Sequence, residues 1–343
     1  MNNVNILLTS VGRRKYLVKW FKEAGNIGKV HVGNNDIVSD AFWAGDERVH
    51  TPNIYDKNYI PFLLDYCRDN EIKAVIPLFD VDLPVLAHNR ELFEMIGTRL
   101  IVADEWFVEI CNDKYKTYVF LHNNGIRCIK TFIDLESVVF EIQNGSIKYP
   151  LIIKPRWGMG SIGIYVANNE NELRVLYKKL KSEIFETYLK DESLADTEHC
   201  VVFQEYVDGT EYGADIVNDL EGNYITSIHR EKLAMRSGET DCARMIKDNK
   251  IEEICRMISH VSKHIGLIDI DIIKKDGEYY VLEMNSRFGG GYPFSHIAGV
   301  HVTEMIVDWL SEQREVKKYD YPEGLIIQKS IGFTILGEEN LKC

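Results

Sequence analysis

The sequence predicts an α/β domain on a parallel sheet, followed by a longer α+β region, and three observations carry that expectation. Strand-like and helical patterns alternate from Val4 to Ala103; a glycine-rich stretch, Lys154 to Gly163, has strand patterns on both sides; and Gly266–Gly291 reads as a hairpin with one apolar and one acidic face. Each element follows from local pattern.

Val4–Thr9 is an apolar run that leads through Ser10-Val11-Gly12 into a helical pattern, Arg13–Ala24, with Leu17, Phe21 and Ala24 near 3.6-residue spacing. Strand patterns recur at Lys29–Gly33, Ala74–Leu78 and Leu100–Ala103, with helical patterns at Asn58–Asn70 and Leu83–Met95 between them. Such alternation argues for a parallel sheet covered by helices. The first turn has one glycine where a dinucleotide fingerprint needs three. Its Arg13 and Arg14 either face an anionic substrate or are simply exposed. Asp80 and Asp82 follow the strand ending near Leu78, at the sheet edge where open α/β sheets bind ligands, and are candidates for an acceptor pocket.

From Asp104 the pattern changes to helices at Asp104–Cys111 and Asp113–Asn124, the second with Lys114 near its start and Gly125 past its end. A first domain is therefore expected over residues 1–104 and a second over 105–312, with a C-terminal segment, 313–343, packing on it. Cys128–Phe132, the helical Leu135–Asn144 and Leu151–Lys154 begin a small α+β unit.

The run Lys154-Pro155-Arg156-Trp157-Gly158-Met159-Gly160-Ser161-Ile162-Gly163 contains G-x-G-x-x-G, but a strand follows it and the next helical pattern waits until Asn171–Leu189. It is a hairpin loop, the kind that folds over nucleotide phosphates, and not a strand-turn-helix dinucleotide site. A solvent-exposed tight turn is the plainer alternative. Lys154 adds a compact positive charge. Farther on, Glu205 and Glu211 flank a turn where acceptors for a base amine and sugar hydroxyls could sit, though isolated surface glutamates would look identical, and strands are expected at Asn223–His229 and Lys232–Arg236, with Arg230, Lys232, Arg236 and Arg244 crowding a Ser237-Gly238 turn. A helical run, Asp248–Ile265, precedes the acidic hairpin and Val302–Gln313 follows it.

In that hairpin Ile268, Ile270 and Ile272 alternate with Asp269 and Asp271, and Leu282 and Met284 alternate with Glu283, Asn285 and Arg287. A three-residue loop, Asp276-Gly277-Glu278, puts Asp271 opposite Glu283, whereas a two-residue loop puts them out of phase. Opposed like charges are destabilising unless offset. Two carboxylates and an amide suit a hard cation such as Mg²⁺, and Gly289-Gly290-Gly291 suits close approach of backbone to a ligand. A solvated outer face is the bland alternative.

Composition narrows the classes. The 343 residues carry a net charge of −13, with scattered Lys and Arg, which argues against nucleic-acid or anionic-membrane surfaces. Seven cysteines form no C-x-x-C pair, so reduced thiols of a cytoplasmic protein are expected. No leader or membrane-spanning run is read, and a homodimer is the default for oligomeric state.

Taken together, Lys114, Lys154 with its glycine loop, Gln204-Glu205-Tyr206-Val207 with Glu211, and Asp271 with Glu283-x-Asn285-x-Arg287 resemble the ATP-grasp superfamily. The group most similar contains the carbamoyl-phosphate synthetase large subunit and the pyrrolysine-pathway ligase. The match runs over residues 100 to 312, with the preceding region similar to a Rossmann-like pre-ATP-grasp domain. The resemblance implies a lid subdomain over about 113–206 and a larger one over about 207–312. It implies ATP phosphates on Lys114 and Lys154 beneath a loop containing Gly158, Gly160, Ser161 and Gly163. It further implies adenine near Gln204, Glu205 and the Val207 backbone, ribose on Glu211, and a phosphate contact from Arg236. Mg²⁺ or Mn²⁺ would sit on Asp271, Glu283 and Asn285, with Arg287 at the transferred phosphoryl group, making Arg287 and Lys154 the catalytic pair. The implied activity is a carboxylate–amine ligase acting on small molecules through an acyl phosphate. The alternatives are a kinase on a small-molecule hydroxyl and a nucleotide-binding protein without turnover.

Overall fold

A computed structural model describes residues 3–158, 163–187, 189–312, 319–330 and 332–336. The apolar N-terminal runs form strands β1 (Val4–Thr9), β2 (Ile27–Asn34), β3 (Glu47–His50), β4 (Ile72–Pro77) and β5 (Arg99–Leu100), in the parallel order β3-β2-β1-β4-β5. The chain winds one way from β1 to β2 and the other way to β4, so the sheet has its switch point at the carboxyl ends of β1 and β4, where ligands bind in open sheets. Asp82 braces that point. Its buried carboxylate accepts hydrogen bonds from Thr9, from Ser10 Oγ at 3.0 Å and from the Tyr59 hydroxyl at 2.6 Å. It is thus a structural clamp, whereas Asp80 lines the cavity described below.

A second sheet contains β6 (Thr131–Phe132), β7 (Leu151–Pro155), β8 (Tyr165–Ala167) and β9 (Val201–Glu205), ordered β6-β9-β7-β8. β7 and β8 are antiparallel, so the glycine loop joins a hairpin. Gly160 and Ser161 lie outside the described residues. The third sheet contains β10 (Thr210–Asn218), β11 (Tyr224–Arg236), β12 (Glu239–Ile246), β13 (Gly266–Lys275), β14 (Glu278–Asn285) and β15 (Ile326–Gln328), ordered β14-β13-β10-β11-β12-β15. The two strands expected over 223–236 are one long strand, which places Arg230 and Lys232 on one face. The stretch 332–336 has no regular structure.

Hydrophobic packing joins the first and third sheets. Ile6, Leu8 and Val30 share a core with Tyr292, Phe294 and Ile306, while Leu7, Val75 and Leu100 share another with Ile268, Ile270 and Met284. The second sheet has its own core of Val138, Leu151, Ile153, Leu180 and Phe203. Helix Lys114–Asn123 packs with the larger body through Leu121 and is tied to the small unit by charge. Asp113 caps its first turn, accepting from the Tyr115 and Lys116 amides, and also takes Arg156 Nε at 2.9 Å and Nη2 at 2.7 Å. Because Asp113 is buried, Arg156→Met strands a carboxylate; an equilibrium urea titration is expected to show about 3 kcal/mol lost, with less than 1 kcal/mol arguing that water replaces the pair.

Candidate active site

The turn between β13 and β14 has two residues, Asp276 and Gly277, both at positive φ, and pairs Lys275 with Glu278. That turn alone would put the acids out of phase. A bulge at Leu282 shifts the register between Asp271 and Ile272, and beyond it Asp271 faces Glu283 and Asp269 faces Asn285. The expected juxtaposition therefore holds for a different reason: the extra residue is in the strand and not in the loop. Ile268, Ile270, Val281 and Met284 turn to the core.

Lysine and arginine offset the acidic crowding. Gly213 of β10 pairs with Asp271 on one side and Arg230 on the other. Arg230, 1% exposed, reaches Asp215 at 3.0 Å and also bonds Asp269, and Lys232 Nζ lies 2.7 Å from Asp271. Lys232 thus offsets part of the charge that Asp271 and Glu283 bring together, with a cation that the sequence argument did not supply. The glycine reading changes as well. A Cβ on Gly213 or Gly291 would collide with the Arg230 guanidinium, and one on Gly289 with Asp269, so these positions are glycine because backbone closes over an internal ion pair. A Cβ on Gly290 would lie 3.2 Å from the Glu239 carboxyl carbon, and Gly290 and Gly291 both line the cavity.

A cavity of about 520 Å³ lies between the three sheets, lined by Lys114, Lys154 and Gly158, by Asp271, Glu283, Asn285 and Arg287, and by Arg14, Asp36 and Asp80 of the first domain. Lys154 is 5% exposed and makes no ion pair or side-chain hydrogen bond among the described residues. Burial pulls its pKa down to about 8, with Glu283 opposing and Lys114 assisting. Lys114 is lowered by burial as well; its Nζ donates to the Gly158 carbonyl at 2.7 Å, and its amide donates to the Arg156 carbonyl at 3.2 Å. Glu283 and Asn285 likewise make no polar side-chain contact among the described residues. Burial works against the Lys232 charge, but Asp271 carries its pKa above the ordinary value. Arg287 Nε and Nη2 donate to Asp80 Oδ2 at 3.0 and 2.7 Å, across the seam between the first and third sheets, and Asp80 keeps the buried guanidinium charged.

The expected nucleoside end is different. Gln204 is buried and donates to Thr131 Oγ1 at 2.8 Å, so the alternation of β9 turns it into the small sheet. Arg236 sits at the tip of the β11–β12 hairpin, paired with Asp241 at 2.9 Å and half exposed, and does not reach the cavity. Both expectations are corrected on these contacts. Glu205 ends β9, Val207 is half-buried two residues on, and Glu211 Oε2 lies 3.7 Å from Lys232; none of these three lines the cavity. Lys232 supplies the inward cation that was assigned to Arg236. Its signal was readable, since Arg230-Glu231-Lys232 on one strand directs two cations to one side. The partnership of Asp215 with Arg230 was not readable, because Arg230 and Asp215 come from different strands.

Residues 6–101 match the family described as PylC-like, N-terminal domain, and residues 111–291 match the ATP-grasp domain, just over half the chain. The carbamoyl phosphate synthase large chain of Methanocorpusculum labreanum is 25% identical over 301 residues, covering 81% of this chain and 26% of that one. The chain thus spans about a quarter of the length of that curated relative. Among solved structures, the biotin carboxylase domain dimer of Hydrogenobacter thermophilus 2-oxoglutarate carboxylase, in complex with MgADP, ADP and bicarbonate, superposes with a TM-score of 0.71 at 18% identity, covering 92% of this chain and 71% of that one. The L-amino acid ligase of Bacillus licheniformis superposes with a TM-score of 0.68 at 20% identity, covering 90% and 76%. The two matched segments follow one another in the order in which the parallel sheet and the acidic hairpin are built, and the chain belongs to the ATP-grasp family, with a PylC-like N-terminal domain.

Proposed function

We propose that the protein is an ATP-dependent carboxylate–amine ligase. The observation that carries this is the buried, unpaired Lys154 ammonium beside Lys114, opposite the uncommitted Glu283 and Asn285. Unpaired buried cations are costly, and a polyphosphate is the natural partner for two of them. Lys114 and Lys154 would hold ATP phosphates, the loop Gly158–Gly163 would close over them, and Glu205, the Val207 backbone and Glu211 would receive adenine and ribose.

Among the described residues, no three His, Cys, Asp or Glu side chains converge as a ready-made cage. Asp271, Glu283 and Asn285 nevertheless fit a hard cation that takes its remaining ligands from phosphate and water. Mg²⁺ or Mn²⁺ bound there would neutralise phosphate charge. For the chemistry, a substrate carboxylate oxygen attacks the γ-phosphorus as the bond to ADP breaks. An amine nitrogen then attacks the acyl carbon, phosphate leaves, and the nitrogen loses a proton to give an amide. Arg287 would steady the phosphoryl charge in the first step, and the closed small unit would keep water from the acyl phosphate. Phosphoryl transfer needs positioning more than a protein nucleophile, which the constellation provides. The names of the carbamoyl phosphate synthase and L-amino acid ligase relatives support the same class.

Three measurements test the reading. Incubation with MgATP, pooled carboxylates and hydroxylamine is expected to yield a hydroxamate with ADP; ADP accompanied by a phosphorylated alcohol and no hydroxamate would show a kinase. Glu283→Gln is expected to lower turnover roughly 100-fold or more while leaving thermal stability near wild type, and near-normal turnover would remove Glu283 from the site. The folded-state pKa of Lys154, about 8, lies below the unfolded value near ~10.4. The charge available to phosphate is therefore nearly complete well below pH 8 and is lost as pH rises through it. MgATP affinity should weaken between about pH 7 and about pH 9 and become flat across that window in Lys154→Arg; a flat wild-type profile would contradict the assignment.

A further inference from the structure

We propose that Arg156 is a positioning residue for nucleotide phosphate, acting through Asp113 to hold Lys114 at a fixed separation from Lys154. The inference rests on the reading of both lysines as phosphate ligands and names the residue that sets the spacing between their charges.

The two lysines come from bodies with different cores. Lys114 opens the helix Lys114–Asn123, whose Leu121 packs in a core shared by the first and third sheets. Lys154 stands on β7, whose Leu151 and Ile153 belong to the separate core of the small sheet. Lysine side chains are long and flexible, so two of them present a defined spacing to a polyphosphate only if their backbones are fixed to each other.

Arg156 supplies that link where the two backbones meet. It follows Lys154 by two residues, and its partner Asp113 immediately precedes Lys114. Nε donates to both Asp113 oxygens at 2.9 Å and Nη2 donates to Oδ2 at 2.7 Å, a two-pronged bond that fixes orientation as well as distance. On the side of the small unit, Nη1 donates to Asp196 Oδ2 at 3.1 Å and the Arg156 amide donates to the Cys200 carbonyl at 2.9 Å. The guanidinium also lies over the Trp157 ring, 4.5 Å from its centroid. Asp113 and Arg156 are 1% and 8% exposed, so little water competes for their bond.

Lys114 is gripped at the same place. Its amide donates to the Arg156 carbonyl at 3.2 Å and its Nζ to the Gly158 carbonyl at 2.7 Å, which leaves the ammonium further protons to offer a phosphate. A purely structural tie could join the two bodies anywhere along their seam. This one is placed beside both phosphate lysines, so its geometry is passed directly to them.

Isothermal titration calorimetry on the full-length chain tests the assignment, with a magnesium-loaded, non-hydrolysable ATP analogue titrated directly and adenosine measured by displacement. Arg156→Met is expected to raise the Kd of the analogue roughly 10-fold or more and that of adenosine less than about 2-fold, with Arg156→Lys, which keeps the charge but loses one prong, between Arg156→Met and wild type. In a chain already carrying Lys114→Met, adding Arg156→Met should cost less than about 3-fold, because the lysine it acts through is gone. If Arg156→Met does not fold, Arg156→Lys and its combination with Lys114→Met carry the same comparison. An analogue Kd equal to wild type in the folded single variant, equal weakening of analogue and adenosine, or a fully additive loss in the double variant would each overturn the inference. Failure of the wild type to bind the analogue would instead overturn the nucleotide reading and this one with it.

Discussion

Arg230 is the group around which the charged interior is arranged. It lies wholly inside the protein, between Asp215 of β10 and Asp269 of β13, and the backbone at Gly213 and Gly291 closes on its guanidinium. A buried cation of this kind is tolerable only with acids on more than one side, and the acids need it in return. Asp215 is further held by the Ser295 hydroxyl, which anchors the start of the segment after the glycines. The pair therefore fixes both the strand face and the loop that carries Arg287. Next to it, Lys232 takes Asp271, leaving Glu283 and Asn285 as the uncommitted polar groups on that face.

The packing assigns different mechanical roles to the three sheets. Two hydrophobic cores run through both the parallel sheet and the six-stranded sheet, so the Arg287–Asp80 bond spans a seam backed by dense packing. The small sheet has a core of its own, and its links to the larger body include the Asp113–Arg156 pair and the Lys114–Gly158 hydrogen bond. These are directional polar links over limited area, and they lie at the edge of the cavity.

Two sequence arguments reached sound positions by unsound routes. The facing of Asp271 and Glu283 was inferred from loop length, yet the loop is the shorter form and a strand bulge restores phase. Periodicity along one strand cannot reveal a bulge, because the extra residue is identified only by the partner it lacks. Similarly, Gly289-Gly290-Gly291 signalled close approach, and close approach is what it provides, but largely to Arg230 and Asp269.

What the sequence by itself determined is the set of local patterns: the alternating elements of the parallel sheet, the glycine hairpin after β7, and the two-faced hairpin with its acids, all legible because each depends on residues close along the chain. What only the tertiary structure decided is which charges meet. Arg14 and Arg13 are adjacent in sequence, yet one lines the cavity and the other is exposed. Asp80 finds Arg287 from far along the chain, and Arg236 is spent on Asp241 while Lys232 faces inward. Pairing of this kind is set by strand order, register and burial, which bring distant residues within a few ångströms, and no local spacing encodes it.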